Sequence, residues 1–115
     1  MAQFTFIQWL IDWLESQIEF VFIWDDGNKS KSLEKHGVDL HEAEEIFLNS
    51  DKTIALGVQH TPEINEPRFG VLGATHERRL LFVSFTIRGS GVRVISARPM
   101  NKKERKLYGK ITSKK

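Results

Sequence analysis

The chain has 115 residues, 40% of them hydrophobic, which is enough for one domain with a single core. It contains no cysteine, which excludes a disulfide framework and a cysteine-based zinc site and is compatible with a reducing, cytoplasmic setting. The net charge of +2 conceals a division, because residues 1–67 hold four Lys/Arg and thirteen Asp/Glu, a net −9, whereas residues 68–115 hold thirteen and two, a net +11. The second part is therefore expected to attract polyanions, unless the two parts interleave in the fold and neutralise each other.

Helical periodicity marks the first nineteen residues. The apolar residues that recur there at spacings of three and four are Ile7, Leu10, Ile11, Leu14 and Ile18. This pattern predicts an amphipathic helix over residues 1–19, which packs on the domain or on a second copy of the chain as a homodimer contact. The segment is too short to span a bilayer, and its polar face carries Asp12 and Glu15 rather than basic residues, so we expect no membrane contact.

A strand and a helical hairpin are predicted next. Residues 20–24 are all aromatic or β-branched, which is typical of a strand. A polar helix is expected from residue 26 to about residue 35, with Gly37 as its stop. A second helix is expected to begin with Asp39 as its N-cap and Glu42 three residues later. The apolar residues that this helix would bury are Leu40, Ala43, Ile46 and Phe47.

The remaining segments predict a sheet and a last helix. The strand candidates are residues 53–58, 68–74, 79–88 and 92–98. Short turns between them indicate an antiparallel meander. The C-terminal helix is expected to begin at Lys102, with Asn101 and Glu104 as a capping box and Gly109 as its end, and a basic tail over residues 110–115 follows. The order predicts an α+β fold in which helices pack on a largely antiparallel sheet.

The register of the last hairpin decides which side chains share a face. If the loop is three residues long, Ser84 pairs with Ser96 and Phe82 pairs with Arg98. One face then gathers Ser84, Thr86, Arg88, Ser96 and Arg98. The opposite face gathers the apolar residues Leu81, Val83, Phe85, Ile87, Ile95 and Ala97. Under this register Arg88 and Arg98 could meet one phosphate, and the inference depends on the loop length.

Taken together, these residues resemble the BrnT toxins of bacterial type II toxin–antitoxin modules. The matching pieces are Trp24-Asp25, Asn28, Lys35-His36-Gly37-Val38, Glu42-Ala43 with Phe47, Arg68 before Leu72-Gly73, Thr86 with Arg88, Arg93-Val94-Ile95-Ser96-Ala97-Arg98, and Glu104-Arg105 with Tyr108. They occur in this order over residues 20–109, which the resemblance identifies as the toxin domain. The predicted helix before residue 20 departs from the family pattern.

The resemblance implies a RelE-like fold and an endoribonuclease that needs no cofactor and slows translation. It also implies a ribbon-helix-helix antitoxin, similar to BrnA, that masks the toxin and binds operator DNA. The protein itself would reach DNA only through this antitoxin. A non-catalytic nucleic-acid-binding or interaction module with the same basic surface remains the alternative.

Metal-free cleavage of RNA needs a base for the 2′-hydroxyl proton, an acid for the leaving oxygen and cations for the phosphorane-like transition state. The planar guanidinium of arginine matches phosphate oxygens, which makes Arg68, Arg88 and Arg98 the predicted catalytic cations. His36 is the candidate acid or base, although its place in the last turn of a helix also suits a contact with the helix dipole. Glu104 ranks below His36 because its capping-box position gives it a structural task.

Further residues are predicted to contact RNA around this catalytic set. They are Lys35, Arg93, Lys102, Lys103, Arg105 and Tyr108. Tyr108 could stack on a base or pack under the sheet. The basic part of the chain holds only Glu77 and Glu104 as carboxylates, so we expect no metal site.

Overall fold

Six strands and three helices make up the fold in the residues that the computed structural model describes, namely 3–5, 12, 21–48, 53–60, 67–89 and 91–112. The strands are β1 (Gln3–Thr5), β2 (Val21–Phe22), β3 (Ile54–His60), β4 (Arg68–Ala74), β5 (Leu80–Arg88) and β6 (Gly91–Pro99). The helices are α1 (Lys31–His36), α2 (Leu40–Leu48) and α3 (Lys102–Thr112). The predicted α+β class is confirmed, while the RelE-like assignment stays a prediction.

The strands form one sheet in the order β1-β3-β4-β5-β6-β2. Strands β3 to β6 are an antiparallel meander, as the sequence pattern predicts. The first predicted strand joins the far edge as β2, where Val21 pairs with Gly91 and Phe22 pairs with Val92 in parallel. The short strand β2 is therefore the neighbour of the last strand, β6, at this edge.

The larger core lies between one face of the sheet and helix α2. From α2, Phe47 meets Phe85 edge-on with 4.9 Å between ring centroids, and Ile46 is fully buried beside it. The sheet supplies alternate residues of each strand, as one packed face requires. These sheet residues are Phe69, Val71, Leu81, Val83, Phe85, Val92, Val94 and Ala97. We call this side of the sheet the core face.

The opposite side of the sheet carries a smaller cluster under α3, and we call it the α3 face. Tyr108 from the helix and Met100 before it pack against Leu72 and Phe82 of the sheet. Asn101 and Glu104 form the predicted capping box, in which each backbone N–H donates to the other side chain at 2.9 and 2.8 Å. The predicted end at Gly109 is wrong, because the helix continues to Thr112.

The N-terminal helix prediction is wrong for its first residues. Gln3–Thr5 is a strand that pairs antiparallel with β3, from Gln3 opposite His60 to Thr5 opposite Val58. These residues precede the apolar stripe, which begins only at Ile7, so the helical pattern does not extend to them. Asp12 has helical backbone. The rest of the predicted helix and its proposed homodimer contact lie outside the described residues.

Helix α1 is also shorter than predicted. Residues 26–30 form turns rather than helix, because the carbonyl of Asp25 accepts the N–H groups of Asn28 and Lys29. The predicted stop is confirmed, since Gly37 adopts the left-handed conformation with φ 66° and its N–H donates to Leu33.

The register of the last hairpin agrees with the prediction at one end only. Ser84 pairs with Ser96 and Phe82 with Arg98, but Thr86 pairs with Arg93 and Arg88 with Gly91. The connection has two residues instead of three, and a bulge beside Ser84 and Phe85 inserts one extra residue on β6. Ile95 is therefore not in the core as predicted and is only half-buried. Val92 and Val94 take the core positions.

Candidate functional site

The structure divides the predicted catalytic residues between the two ends of the sheet. Arg68 is the first residue of β4 and Arg88 is the last residue of β5, and these strands are antiparallel, so both lie at one end. Arg98 pairs with Phe82, six residues before Arg88 on β5. At about 3.3 Å per residue this separates their backbones by roughly 20 Å. The prediction that Arg88 and Arg98 meet one phosphate is therefore wrong.

The side chain of Arg98 is held in place by Glu104 and Phe82. Its guanidinium forms a two-pronged ion pair with Glu104, at 2.7 and 2.9 Å, and lies 4.4 Å from the ring centre of Phe82. The side chain of Glu104 is only 16% exposed. Burial acts to raise the pKa of Glu104, but hydrogen bonds from Arg98 and from the N–H of Asn101 outweigh it and leave this pKa below the ordinary value. The arrangement ties α3 to β6.

His36 and Lys35 lie on the core-face side, at the end of the sheet away from Arg88. They are exposed in the last turn of α1, next to Gly37, whose carbonyl accepts a hydrogen bond of 2.9 Å from Arg79, the residue before β5. Arg79 also pairs with Glu42 at 2.9 Å. His36 is thus separated from Arg68 and Arg88 by most of the length of the sheet.

Apart from Arg93, which lies on β6, the remaining predicted RNA contacts lie on α3. Lys102 and Lys103 are exposed in its first turn, and Arg105 donates to the carbonyl of Met100 at 2.7 Å. Tyr108 is only 7% exposed and belongs to the cluster under the helix, where burial raises its pKa. The prediction that Tyr108 stacks on a base is therefore wrong, and its packing alternative is correct.

Three arginines share one face at one end of the sheet, and we call this group the arginine end: Arg68, Arg88 and Arg93. Arg93 pairs directly with Thr86, and Arg68 continues the register that pairs Phe69 with Phe85, which places it on the other side of Thr86. With strands about 4.8 Å apart, Arg68 and Arg93 flank Thr86 with roughly 10 Å between their backbones. Arg88 follows two residues later on the same side of β5.

Thr86 occupies the centre of this group. Its side chain is 1% exposed, and its hydroxyl donates to the carbonyl of Pro67 at 2.7 Å. This bond fixes the entry of the chain into β4 and hence the position of Arg68, the next residue. Arg88 is exposed, whereas Arg68 and Arg93 are half-buried. The arginine end thus presents cationic groups that strands, rather than loops, hold in place.

A carboxylate lies beside the arginine end. Asp25 Oδ1 is 3.0 Å from the guanidinium of Arg93, and the loop that carries it follows β2 directly. The N–H of Gly27 lowers the pKa of Asp25 below its usual value, and the charges of Arg93 and Arg88 act in the same direction. The carboxylate is ionised near neutral pH.

Among the described residues, no group of three or more His, Asp or Glu side chains could hold a metal ion. In the same part of the chain, no helix is both long and apolar enough to cross a membrane.

Comparison with known proteins identifies the family. The model of the family described as "Ribonuclease toxin, BrnT, of type II toxin-antitoxin system" matches residues 24–104, more than half of the chain. The chain belongs to the BrnT family. The match contains the arginine end, Asp25, His36 and Arg98, so the family region includes both ends of the sheet.

A solved BrnT structure shares the fold. The crystal structure of the ribonuclease toxin BrnT of Brucella abortus is 22% identical to this chain, with a TM-score of 0.52. The match covers 73% of this chain and 100% of the other. No curated protein matches the chain at a significant level.

The sequence analysis names Asp25 only within the Trp24-Asp25 match and does not predict its contact with Arg93. The two residues are 68 positions apart, so no local pattern connects them. A partial signal was present, because an aspartate two residues before a glycine often accepts the backbone N–H in a turn. That signal indicates a fixed carboxylate but does not name its partner.

Proposed function

We propose that this BrnT-family protein is an endoribonuclease that cleaves RNA without a metal ion and thereby slows translation in the cytoplasm. The family is one of ribonuclease toxins, and this membership supports RNA as the substrate. The observation that carries the metal-free chemistry is the placement of Arg68, Arg88 and Arg93 on one face around Thr86. Fixed guanidinium groups can supply the positive charge that a metal ion supplies in other nucleases.

In this proposal the scissile phosphate lies over Thr86, between Arg68 and Arg93, with Arg88 at the outer edge. Attack of the 2′-hydroxyl builds negative charge on the phosphate oxygens, and the arginines stabilise that charge more strongly in the transition state than in bound RNA. The 2′-oxygen bonds to phosphorus as the bond from phosphorus to the 5′-oxygen breaks; water takes the 2′-hydroxyl proton and supplies the proton to the 5′-oxygen, which gives a 2′,3′-cyclic phosphate and a free 5′-hydroxyl. Lys102 and Lys103 would extend RNA contact along the α3 face.

We further propose that a ribbon-helix-helix antitoxin, similar to BrnA, neutralises the protein by covering its basic surface. Membership in a toxin–antitoxin family supports a partner of this kind. An acidic segment of the antitoxin would compete with RNA for the exposed Arg88 and for the lysines at the start of α3. Operator DNA would be contacted by the antitoxin alone. Association should be fast and salt-sensitive, as for other complementary charged surfaces.

The test is cleavage of a long single-stranded RNA by purified protein in EDTA, with the product ends mapped. We expect cuts with 2′,3′-cyclic ends. Arg68→Ala and Arg88→Ala should each lower the rate at saturating RNA by about 10² or more, on the scale of one lost fixed donor. Lys106→Ala removes an equal charge from the exposed side of α3 and is the matched control. All variants are compared at temperatures well below their melting points.

Two outcomes would contradict the proposal. RNA that stays intact in a gel-shifted complex would favour the non-catalytic RNA-binding alternative. Loss of cleavage in folded His36→Gln and Arg98→Ala proteins, with normal rates for the Arg68 and Arg88 variants, would place the active site at the opposite end of the sheet.

A further inference from the structure

We propose that Asp25 is a positioning residue, whose carboxylate orients the guanidinium of Arg93 toward the phosphate of bound RNA. This inference rests on the proposed function and adds a residue to it. Asp25 does not itself contact RNA in this arrangement. It acts through Arg93, from a loop on the neighbouring edge of the sheet.

Asp25 is held in place by its own loop. Its Oδ1 accepts the N–H of Gly27 at 2.8 Å, and its backbone N–H donates to Oδ1 of Asn28 at 2.8 Å. Asn28 is 4% exposed, and its amide donates to the carbonyls of Ile23 and Val94 at 3.0 and 2.8 Å. Val94 directly follows Arg93. The loop is therefore fastened to β6 beside the residue that Asp25 contacts.

The guanidinium of Arg93 fits this loop closely. A Cβ atom on residue 27 would lie 3.0 Å from Nη2 of Arg93, so the glycine there leaves the space that the guanidinium uses. The Arg93 side chain is 18% exposed, and Nη2 is 3.0 Å from Asp25. Nε of Arg93 is buried and has no hydrogen-bond acceptor among the described residues. Nη1 also lacks an acceptor in this part of the chain, and unlike Nε it is not buried, so it is the guanidinium nitrogen that can donate to a phosphate oxygen of RNA.

Removal of the Asp25 carboxylate should affect RNA affinity and cleavage rate differently, which makes the inference testable. A carboxylate next to the arginine end repels RNA, so its removal alone should leave affinity unchanged or raise it. Loss of the ion pair between Asp25 and Arg93 should instead slow cleavage, because a misplaced guanidinium stabilises the transition state less. Substitution of a residue with only a structural role would lower RNA affinity and the cleavage rate together.

The experiment compares Asp25→Asn with Asp26→Asn in the full-length protein. Asparagine keeps an oxygen acceptor for the N–H of Gly27 and removes the charge. Asp26 is the matched control, because it is the next residue, its side chain is 99% exposed, and its ion pair is with Lys29 rather than Arg93. We expect Asp25→Asn to lower single-turnover cleavage at saturating RNA by between about 10- and 100-fold without weakening RNA binding. Asp26→Asn should cleave at the normal rate.

A double-mutant cycle with Arg93→Ala completes the test. If Asp25 acts through Arg93, adding Asp25→Asn to Arg93→Ala should lower the rate no further. Normal cleavage by a folded Asp25→Asn protein, or fully additive losses in the cycle, would overturn the inference while leaving the proposed ribonuclease intact. A wild-type protein that binds RNA without cutting it would overturn the proposed function. In that case, or if the wild type does not bind RNA, the inference falls as well, because there is no cleavage for Asp25 and Arg93 to assist.

Discussion

Arg98 makes contacts that one substitution would remove together. Its two hydrogen bonds to Glu104 and its position over Phe82 join β6 to α3. We expect Arg98→Ala to lower the free energy of unfolding by about 2 kcal/mol, because it leaves the half-buried carboxylate of Glu104 without its cation. Urea unfolding measures the change, and Lys106→Ala, on the exposed side of the same helix, should stay within about 0.5 kcal/mol of the wild type.

The same ion pair makes stability depend on pH. The pKa of Glu104 in the folded protein lies below its ordinary value of 4.5, so the unfolded chain takes up its proton first as the pH falls. The stabilisation is therefore complete above pH 4.5 and is lost as the pH drops through the lower, folded value. Glu104→Gln should be less stable than the wild type at pH 7, and the difference should shrink below pH 4.5. Parallel stability curves between pH 7 and about pH 3 would contradict this assignment.

At the scale of elements, two glycines test how closely the helices pack. A Cβ atom on Gly73 of β4 would lie 2.7 Å from Cγ2 of Ile46, which is fully buried in α2. Gly73→Ala should therefore lower the free energy of unfolding by about 1–3 kcal/mol. Gly109 lies in α3, and outside the backbone of its own helix and its chain neighbours no atom lies within 4 Å of its Cβ position, so Gly109→Ala should raise stability by up to about 1 kcal/mol. Equal effects of the two substitutions in thermal melts would show that α2 is not packed as described.

The elements also show what could be predicted from the sequence. The meander, the capping box of α3 and the stop at Gly37 follow from residues close together in the chain, and all three are confirmed. The hairpin register could not be predicted, because a two-residue loop and a bulge compensate for each other, and the pattern of β6 allows both solutions. In the observed register Arg93 lies on the same face as Arg88, whereas the predicted register placed it on the opposite face. A difference of one residue in loop length therefore changed which side chains form the site.

At the scale of the whole molecule, the charge division of the sequence is partly cancelled in the fold. Arg79 pairs with Glu42 and Arg93 with Asp25, which joins the basic part of the chain to the acidic part in both cases. At these two ion pairs the acidic and basic parts of the sequence therefore neutralise each other, which was the alternative to a uniformly basic second part. Arg88 and the lysines that begin α3 remain exposed, so the basic surface is concentrated rather than uniform.

This concentration leads to a prediction for RNA affinity. Because basic side chains that contact RNA phosphates release counterions, the logarithm of the binding constant should fall linearly with the logarithm of salt concentration. Arg88→Ala should make this slope shallower by about 0.7, the contribution of one phosphate contact. Lys106→Ala removes the same charge and should leave the slope unchanged. A slope that changes equally in both variants would indicate general attraction rather than contact at the arginine end.

The parallel pairing of β2 with β6 also has a consequence for synthesis of the chain. During synthesis, Val21 has no partner on β6 until Gly91, about 70 residues later, has been made. At about 5–20 residues per second, a ribosome needs roughly 4–14 s to make that stretch. Asp25 and Arg93 are separated by nearly the same interval. Because the arginine end is assembled only after β6 has emerged, the nascent protein should be unable to attack its own messenger RNA during most of its translation.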